Sequence, residues 1–558
     1  MNDQDLVPKP VQSRRLTWGL CLLALAIMLA ESWRRPLFMD EYSFLRNVAG
    51  FVQNRTLVPV YAMYPTFYSY LIAGPVYLAG LLLFFVRGFP GAGLHDPFLM
   101  RFLFAENVMV WTWLSRLVAM AAAAATLAMV LRRAAPRYRW AGVLVTSGAL
   151  LMDPFGLFLA RYGLPDAPMA FLVTGAMLLC VRYTEEGRRR HLYGAAFLAG
   201  LAASAKLNGA FALAPLLLTP ALGPAAGRRD GRLYAAAAAL AAAGFLAGSP
   251  ALLLAPGVFG AGFAAEKGVL WGGHIGAHGP DWLWIPASLW RADPALTTLL
   301  ALALVGCLLR RSREDILFLA LLAPGLLVLG ALPKKTLLYL AFAYPMAALM
   351  AGRLAHDLAS RIRRPAAQSG LYVILILVFS LPFGRLYAAV RTGLKPDNTD
   401  VARAWIAGRV PHGAVILMDW AYLPRLRDLS VCEKLVADAR ADGSAFAGTI
   451  EQYYRQTDAY RLISLLRLDY GWAAVARADA DYLITSDACY GRYLRPPGPG
   501  TPPPGDPLYE RFLRNRAFYD ALLSERTPYR LVKTFSSGQG PVVNVFVKSA
   551  AAGSTGNR

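Results

Sequence analysis

Residues 107–139 read NVMVWTWLSRLVAMAAAAATLAMVLRRAAPRYR. From 107 to 131 the only charge is Arg116, and the run then stops in a loop bearing Arg132, Arg133, Arg137 and Arg139. A helix needs about 20 mostly apolar residues to cross a hydrocarbon core, and an arginine-rich flank marks its cytoplasmic end. The stretch therefore reads as a membrane-spanning helix, and the same pattern recurs along the chain. Apolar blocks lie at 17–30, 67–86, 140–160, 168–181, 192–205, 208–222, 233–254, 295–309, 316–332, 337–352 and 370–389. The composition agrees: 558 residues, 56% hydrophobic and only 16% charged, with a mean hydropathy of +0.41. Soluble domains carry about 25% charged residues, so a soluble multidomain enzyme, a disordered chain and a disulfide scaffold are all excluded. The net charge of +22 does not imply nucleic-acid binding, because cytoplasmic loops of membrane proteins carry such an excess.

Five basic loops set the orientation. They are 132–139; 182–191 with Arg182, Arg188, Arg189 and Arg190; Arg228, Arg229 and Arg232; Arg310, Arg311 and Arg313; and Arg353, Arg361, Arg363 and Arg364. Placing all five in the cytoplasm requires that one early block does not cross. The block 67–86 fits that part: it follows Pro65, carries Tyr68, Tyr70 and Tyr77, and has Gly74-Pro75 at its middle, a composition suited to a helix in the interface. The first block has Arg14 and Arg15 before it and Glu31-Ser32-Trp33-Arg34-Arg35 after it, with no small-residue cleavage site, and reads as a retained helix. The expectation is a polytopic α-helical membrane protein of about eleven spans, N-terminus in and C-terminus out, with interfacial helices in the first outer loop.

Residues 1–390 form this transmembrane domain; 391–558 differ. Asp397, Asp400, Asp419 and Asp428 appear, no block is long enough to span, and strand-like runs (Ala414–Met418, Tyr482–Thr485, Tyr529–Phe535, Val542–Lys548) alternate with helical stretches such as Thr399–Ala407. This predicts an extracytoplasmic α/β domain. Cys432 and Cys489 both fall in it, and an oxidising compartment would permit a bridge between them.

Several charges lie at membrane depth, where they are costly and mark cavities or partners. Asp40-Glu41 follows the first span within Arg34-Arg35-Pro36-Leu37-Phe38-Met39, and Asp166 lies in Arg161-Tyr162-Gly163-Leu164-Pro165-Asp166. Both fall on the outer face, where each could instead be a helix cap. Lys206, between two short apolar helices, and Lys334-Lys335 lie on the same face and suit a phosphate. The outer loop 256–294 adds Glu266, Lys267, His274, His278, Trp271 and Trp282. The glycines around the two histidines argue against helical spacing, so no metal site is assigned.

In order, Asp40-Glu41, Tyr64-Pro65-Thr66-Phe67-Tyr68, Ser115-Arg116-Leu117, Arg161 to Asp166, Lys206-Leu207-Asn208-Gly209, His278-Gly279 and Lys334-Lys335 to Tyr339 and Tyr344-Pro345 resemble the C-type glycosyltransferases. The resemblance is to protein O-mannosyltransferases and the aminoarabinose transferase that modifies lipid A. It covers most of 30–350. Pro65-Thr66 stands where many members have Pro-Pro, and Lys206-Leu207 where many have Lys-Gly. The resemblance implies inverting transfer of a sugar from a polyprenyl-phosphate donor to an acceptor hydroxyl on an envelope glycan, lipid or protein. Asp40 would be the general base, with Glu41 and Asp166 orienting the acceptor, a neighbouring arginine or a divalent cation, which some relatives use. Lys206, Lys334, Lys335, Arg161 and Tyr339 would hold the donor phosphate, and Tyr64, His274, His278 and Trp271 the sugar or acceptor. A lipid or sugar-lipid transporter and a non-catalytic polyprenyl-lipid-binding assembly subunit are the alternatives. The Ala, Gly and Arg usage suggests a GC-rich bacterial genome, hence the inner membrane with the site facing the periplasm or exterior.

Overall fold

The computed structural model describes residues 10–32, 35, 37–61, 64–89, 96–152, 162–224, 230–272, 281–362, 364–420, 423–494, 501–502, 504–506 and 508–549. The first half opens with six helices: α1 (Pro10–Ser32), α2 (Met39–Gln53), α3 (Phe67–Arg87), α4 (Pro97–Glu106), α5 (Val108–Ala134) and α6 (Trp140–Met152). Their ends carry the expected chemistry. The Asp96 side chain accepts from the Phe98 amide at 2.8 Å to cap α4, with Pro97 at its first position, and Arg132 and Arg133 close α5.

The helix Asp166–Glu186 is the central post of the bundle and is buried along most of its length. Beside it, helices Arg189–Ala205 and Gly231–Gly248 approach so closely that a Cβ at Gly200 would strike the Ala241 carbonyl and one at Gly244 the Phe197 carbonyl. Such contact needs glycine, and it replaces the hydrophobic drive that lipid-bathed helices lack. The far end of this bundle gathers arginines of three basic loops into one ion-pair network. Arg133 reaches Glu185 at 2.7 Å and Glu314 at 3.3 Å, Arg353 reaches Glu314 and Asp315, and Arg310 reaches Asp315 and Asp357.

The chain is a multi-pass membrane protein, with seven described helices long and apolar enough to cross. The sequence reading expected eleven crossings; of those blocks, 140–160, 192–205, 208–222, 295–309 and 337–352 are not among the seven, the helices Arg189–Ala205, Leu213–Leu222 and Pro294–Arg310 being of 17 residues or fewer, while the later part of 140–160 lies outside the described residues. The block read as interfacial, 67–86, forms one uninterrupted helix, Phe67–Arg87, and is among the seven.

The C-terminal part folds around a five-stranded sheet of order β2-β1-β3-β5-β4, made of β1 (Val415–Met418), β2 (Arg461–Ser464), β3 (Tyr482–Ser486), β4 (Tyr529–Phe535) and β5 (Val543–Lys548). β1 lies parallel to β2 and β3, while β5 runs antiparallel to β3 and β4. Four strands match the runs read from sequence. The fifth, β2, is a four-residue edge strand, half-exposed, and too short to show alternation. Asp419, just past β1, is buried and accepts from the hydroxyls of Tyr470, Thr485 and Tyr519 at 2.6–2.8 Å.

This sheet domain is seated on α4. Phe102 packs edge-on against Phe446 and Tyr453, and Arg427 pairs with Glu106 at 2.7 Å while Tyr453 donates to the same carboxylate at 2.8 Å. Cys432 belongs to this aromatic seam and Cys489 to the core on the sheet's other helices. Both are buried thiols in separate cores, so the bridge that an oxidising compartment would permit is not formed. Burial raises the Cys432 thiol to about 11. Alkylation under denaturing conditions without reductant is therefore expected to label all five cysteines; a product with three labels on a chain two hydrogens lighter would overturn the assignment.

Candidate active site

The site begins where α1 ends and α2 starts, and a buried ion pair fixes that turn. Arg116, fully buried on α5, donates from Nε to Glu41 Oε1 at 2.8 Å and from Nη2 to Glu41 Oε2 at 2.9 Å. Its Nη1 reaches the carbonyls of Ser32 and Arg35 at 3.1 and 3.2 Å. Glu41 also accepts from the Phe38 amide at 2.8 Å, closing the first turn of α2, and from the Gly163 amide at 2.6 Å. Both carboxylate oxygens are thus saturated by protein donors. Of the roles read for Glu41, its contacts are those of a residue that orients a neighbouring arginine, Arg116, and they position the segments around it. It is closed to substrate.

Asp40, one position earlier on the helix, turns about 100° away from Glu41. Its carboxylate is partly buried and finds no hydrogen-bond partner among the described residues. Burial pushes it above the usual aspartate range; Lys206 and Lys334 pull it back, while Asp166 and Glu41 push with burial. Asp40 therefore faces two ammonium groups and a second acid without being tied to any of them.

Asp166 opens the central helix and accepts from Lys206 Nζ at 2.7 Å. The Arg189–Ala205 helix ends at Lys206, whose extended backbone turns into a short 3-10 segment, Leu207–Ala212. Asn208 then donates to the Tyr339 carbonyl at 3.1 Å, and Lys206 Nζ sits 5.5 Å from the centre of the Tyr339 ring. Thr336 caps the turn Leu337–Leu340 that carries Tyr339. These contacts tie Asp166, Lys206 and Tyr339 into one wall.

Lys334 and Lys335 part company. Lys334 acts on both Asp40 and Glu266 and has no side-chain partner among the described residues. Lys335 donates to the Leu332 carbonyl at 2.7 Å; burial lowers its ammonium and Asp281 opposes the shift. Tyr64 is brought to the group around Asp40: it packs on Phe44 of α2, 5.5 Å between ring centres, and burial together with Asp40 and Glu266 drives its hydroxyl well up. The next turn is anchored by the Thr66 amide on Ser249 Oγ at 3.1 Å. Trp271 is exposed. Arg161, His274 and His278 lie outside the described residues.

Three residues at the site had no assigned role in the sequence reading. Arg116 entered as a charge inside an apolar run and as part of Ser115-Arg116-Leu117, without a role of its own. Tyr61 is held by a pair of hydrogen bonds to Asn47 of α2, at 2.7 and 2.8 Å. Glu266 is buried, and burial raises it against the pull of Lys334 and Lys206. Among the described residues no group of three or more His, Cys, Asp or Glu side chains is placed to hold a metal ion.

Breaking a buried pair from one side strands the other charge and costs about 3–5 kcal/mol. Arg116→Ala and Glu41→Gln are each expected to lower the thermal midpoint in detergent by several degrees or abolish folded yield. Asp40→Asn should leave it within about a degree. Equal midpoints for all three variants would remove the positioning role from Glu41.

No protein-family model and no curated protein matches the sequence. Among solved structures, ArnT from Cupriavidus metallidurans bound to undecaprenyl phosphate superposes with a TM-score of 0.53 at 11% identity, covering 96% of this chain and 98% of that one. The apo state of the same protein gives 0.50 at 13% identity over the same shares. The likeness is one of fold over the whole length: this chain has the ArnT fold, as its resemblance to the C-type glycosyltransferases implied.

Proposed function

We propose that this protein transfers a sugar from a polyprenyl-phosphate donor to an acceptor hydroxyl, with inversion, on the extracytoplasmic face of a bacterial inner membrane. The observation that carries the reading is the separation of satisfied from open charges. Glu41–Arg116 and Asp166–Lys206 are paired at 2.7–2.9 Å, whereas Asp40 and Lys334 face one another's surroundings with no protein partner among the described residues. Open charges of both signs in a half-buried cavity suit a substrate that brings a hydroxyl proton to one and a phosphate to the other.

In this mechanism the Asp40 carboxylate takes the acceptor proton as the acceptor oxygen bonds to the anomeric carbon. The bond from that carbon to the phosphate oxygen breaks, and the electron pair leaves with the polyprenyl phosphate. The leaving group needs cations rather than an acid, because its charge is what develops in the transition state. Lys334 supplies one directly, and Lys206, neutralised in part by Asp166, supplies the second. Raising the Asp40 carboxyl by burial makes it a stronger base than a solvated aspartate.

Two features support the placement in the membrane. Asp166 and Glu185 stand at opposite ends of the helix Asp166–Glu186, about 30 Å apart at 1.5 Å per residue, which is the thickness of a hydrocarbon core. The basic network at the Glu185 end then lies in the cytoplasm and the site lies outside, with the sheet domain on the same outer side. Beside Tyr339 and Leu340 opens an apolar cavity of about 420 Å³ lined by Ile285, Leu289, Leu304, Phe318, Leu326 and Ala343, suited to isoprene units of the donor.

Asp40→Asn is expected to lower transfer 10²-fold to 10⁴-fold, the range for a general base, with undecaprenyl phosphate binding retained. Lys334→Ala should weaken that binding at least tenfold. Full turnover in Asp40→Asn would rule out the base. Because the base works deprotonated and its carboxyl is raised, kcat/KM should fall with decreasing pH on a limb above the ordinary aspartate range near 3.8. Asp40→Asn should lack that limb; an identical acid limb in the variant's residual activity would assign it to another group.

A further inference from the structure

The helix Pro256–Gly272 inverts the usual rule of burial. It exposes Val258, Phe263 and Trp271, and the side chain it buries is Glu266, at 5% exposure. One carboxylate oxygen, Oε2, is shut off from solvent and has no hydrogen-bond partner among the described residues. No described cation lies within ion-pairing distance of it, although Lys334 and Lys206 both act on it from farther off. An uncompensated buried carboxylate is expensive: Glu41 and Asp419 are saturated by donors, and the buried acids Glu31 and Asp293 each have an arginine at 3.8 Å.

The Lys334 amide donates to the Leu270 carbonyl at 3.4 Å, one turn beyond Glu266 on the same helix, which sets that helix beside the lysine. Asp40 on α2, Tyr61 and Tyr64 on the segment after α2, and Tyr339 on the opposite wall all feel the charge of Glu266, as do Lys206 and Lys334. Glu266 therefore lies close to the base and to Lys334. A phosphate would be repelled by this carboxylate and belongs beside the ammonium groups. A neighbouring polyhydroxylated group would not be repelled. Its hydroxyls donate to a carboxylate, and its C–H faces pack on aromatic rings of the kind Tyr61, Tyr64 and Tyr339 provide.

We propose that Glu266 is the sugar-binding carboxylate of the donor site, accepting hydrogen bonds from hydroxyls of the sugar being transferred. This rests on the polyprenyl-phosphate-sugar reading above and divides that ligand between two sets of residues: Lys334 and Lys206 for the phosphate, Glu266 with the tyrosines for the sugar. The vacant oxygen on Glu266 then acquires its donors only when the sugar is present.

The test measures binding of undecaprenyl phosphate and of a panel of undecaprenyl-phosphoryl sugars (a neutral hexose, a neutral pentose and an amino sugar) to the full-length protein in nanodiscs. Wild type should bind at least one sugar-bearing lipid more tightly than undecaprenyl phosphate. Glu266→Ala should lose roughly tenfold or more on that lipid and change undecaprenyl phosphate less than twofold. Glu266→Gln, which keeps an acceptor oxygen, should recover part of the loss. The unliganded thermal midpoint of Glu266→Ala should stay level or rise, since a stranded carboxylate has been removed; a structural glutamate would lower it. Equal losses on both lipids, or no loss on either, would overturn the assignment. A wild type that binds undecaprenyl phosphate but prefers no sugar-bearing lipid would also overturn it while leaving the phosphate site standing. A wild type that binds neither would bring down the donor reading and this subsite with it.

Discussion

The buried contact between Glu41 and Arg116 is the constraint on which the outer half of the molecule depends. One guanidinium holds the carbonyls at the end of α1, the first turn of α2 and, through Glu41, the Gly163 amide that leads into the central helix. The first two are neighbours in the chain, but Gly163 lies 122 residues beyond Glu41, so one buried pair ties the turn between α1 and α2 to a distant segment. Taking two charges out of water is worthwhile only when every donor and acceptor is used, and here they are. The consequence for Asp40 is geometric. Because Glu41 cannot rotate, its predecessor on the helix is held facing the opposite way, toward the lysines.

The rest of the site follows the same division. Asp166 fixes Lys206, Asn208 fixes the Tyr339 turn, and Asn47 fixes Tyr61. Each of these polar contacts spends its hydrogen bonds on the protein. What remains unspent is one aspartate, one glutamate and one lysine, all three lying close together. A site preorganised in this way loses little by reorganisation when a charged lipid enters, and that is where electrostatic catalysis is most effective.

Much of the architecture was legible in the sequence because it rests on long, one-dimensional patterns. The 107–139 stretch, the arginine-rich loops and the change of composition near 391 all map onto helix ends, an ion-pair network and a sheet domain. What was not legible depends on direction rather than pattern. Adjacent acids Asp40 and Glu41 look alike in a string, yet the 100° between them separates an open group from a closed one. Lys334 and Lys335 differ in the same way. Strand β2 was too short to alternate, the cysteines lie in different cores, and Glu266 looked like one more polar residue in a loop rich in tryptophan and glycine.

The central helix Asp166–Glu186 is pinned at both ends, by Lys206 at the site and by Arg133 at the opposite pole. A transmembrane helix normally meets a change in bilayer thickness by tilting. This one cannot tilt against its neighbours without giving up an ion pair at one end or the other, so any tilt is shared by the helices that carry Lys206 and Arg133. The molecule thus carries an internal gauge of fixed length, and the distance from its polar cavity to its basic pole is set by the protein rather than by the membrane around it.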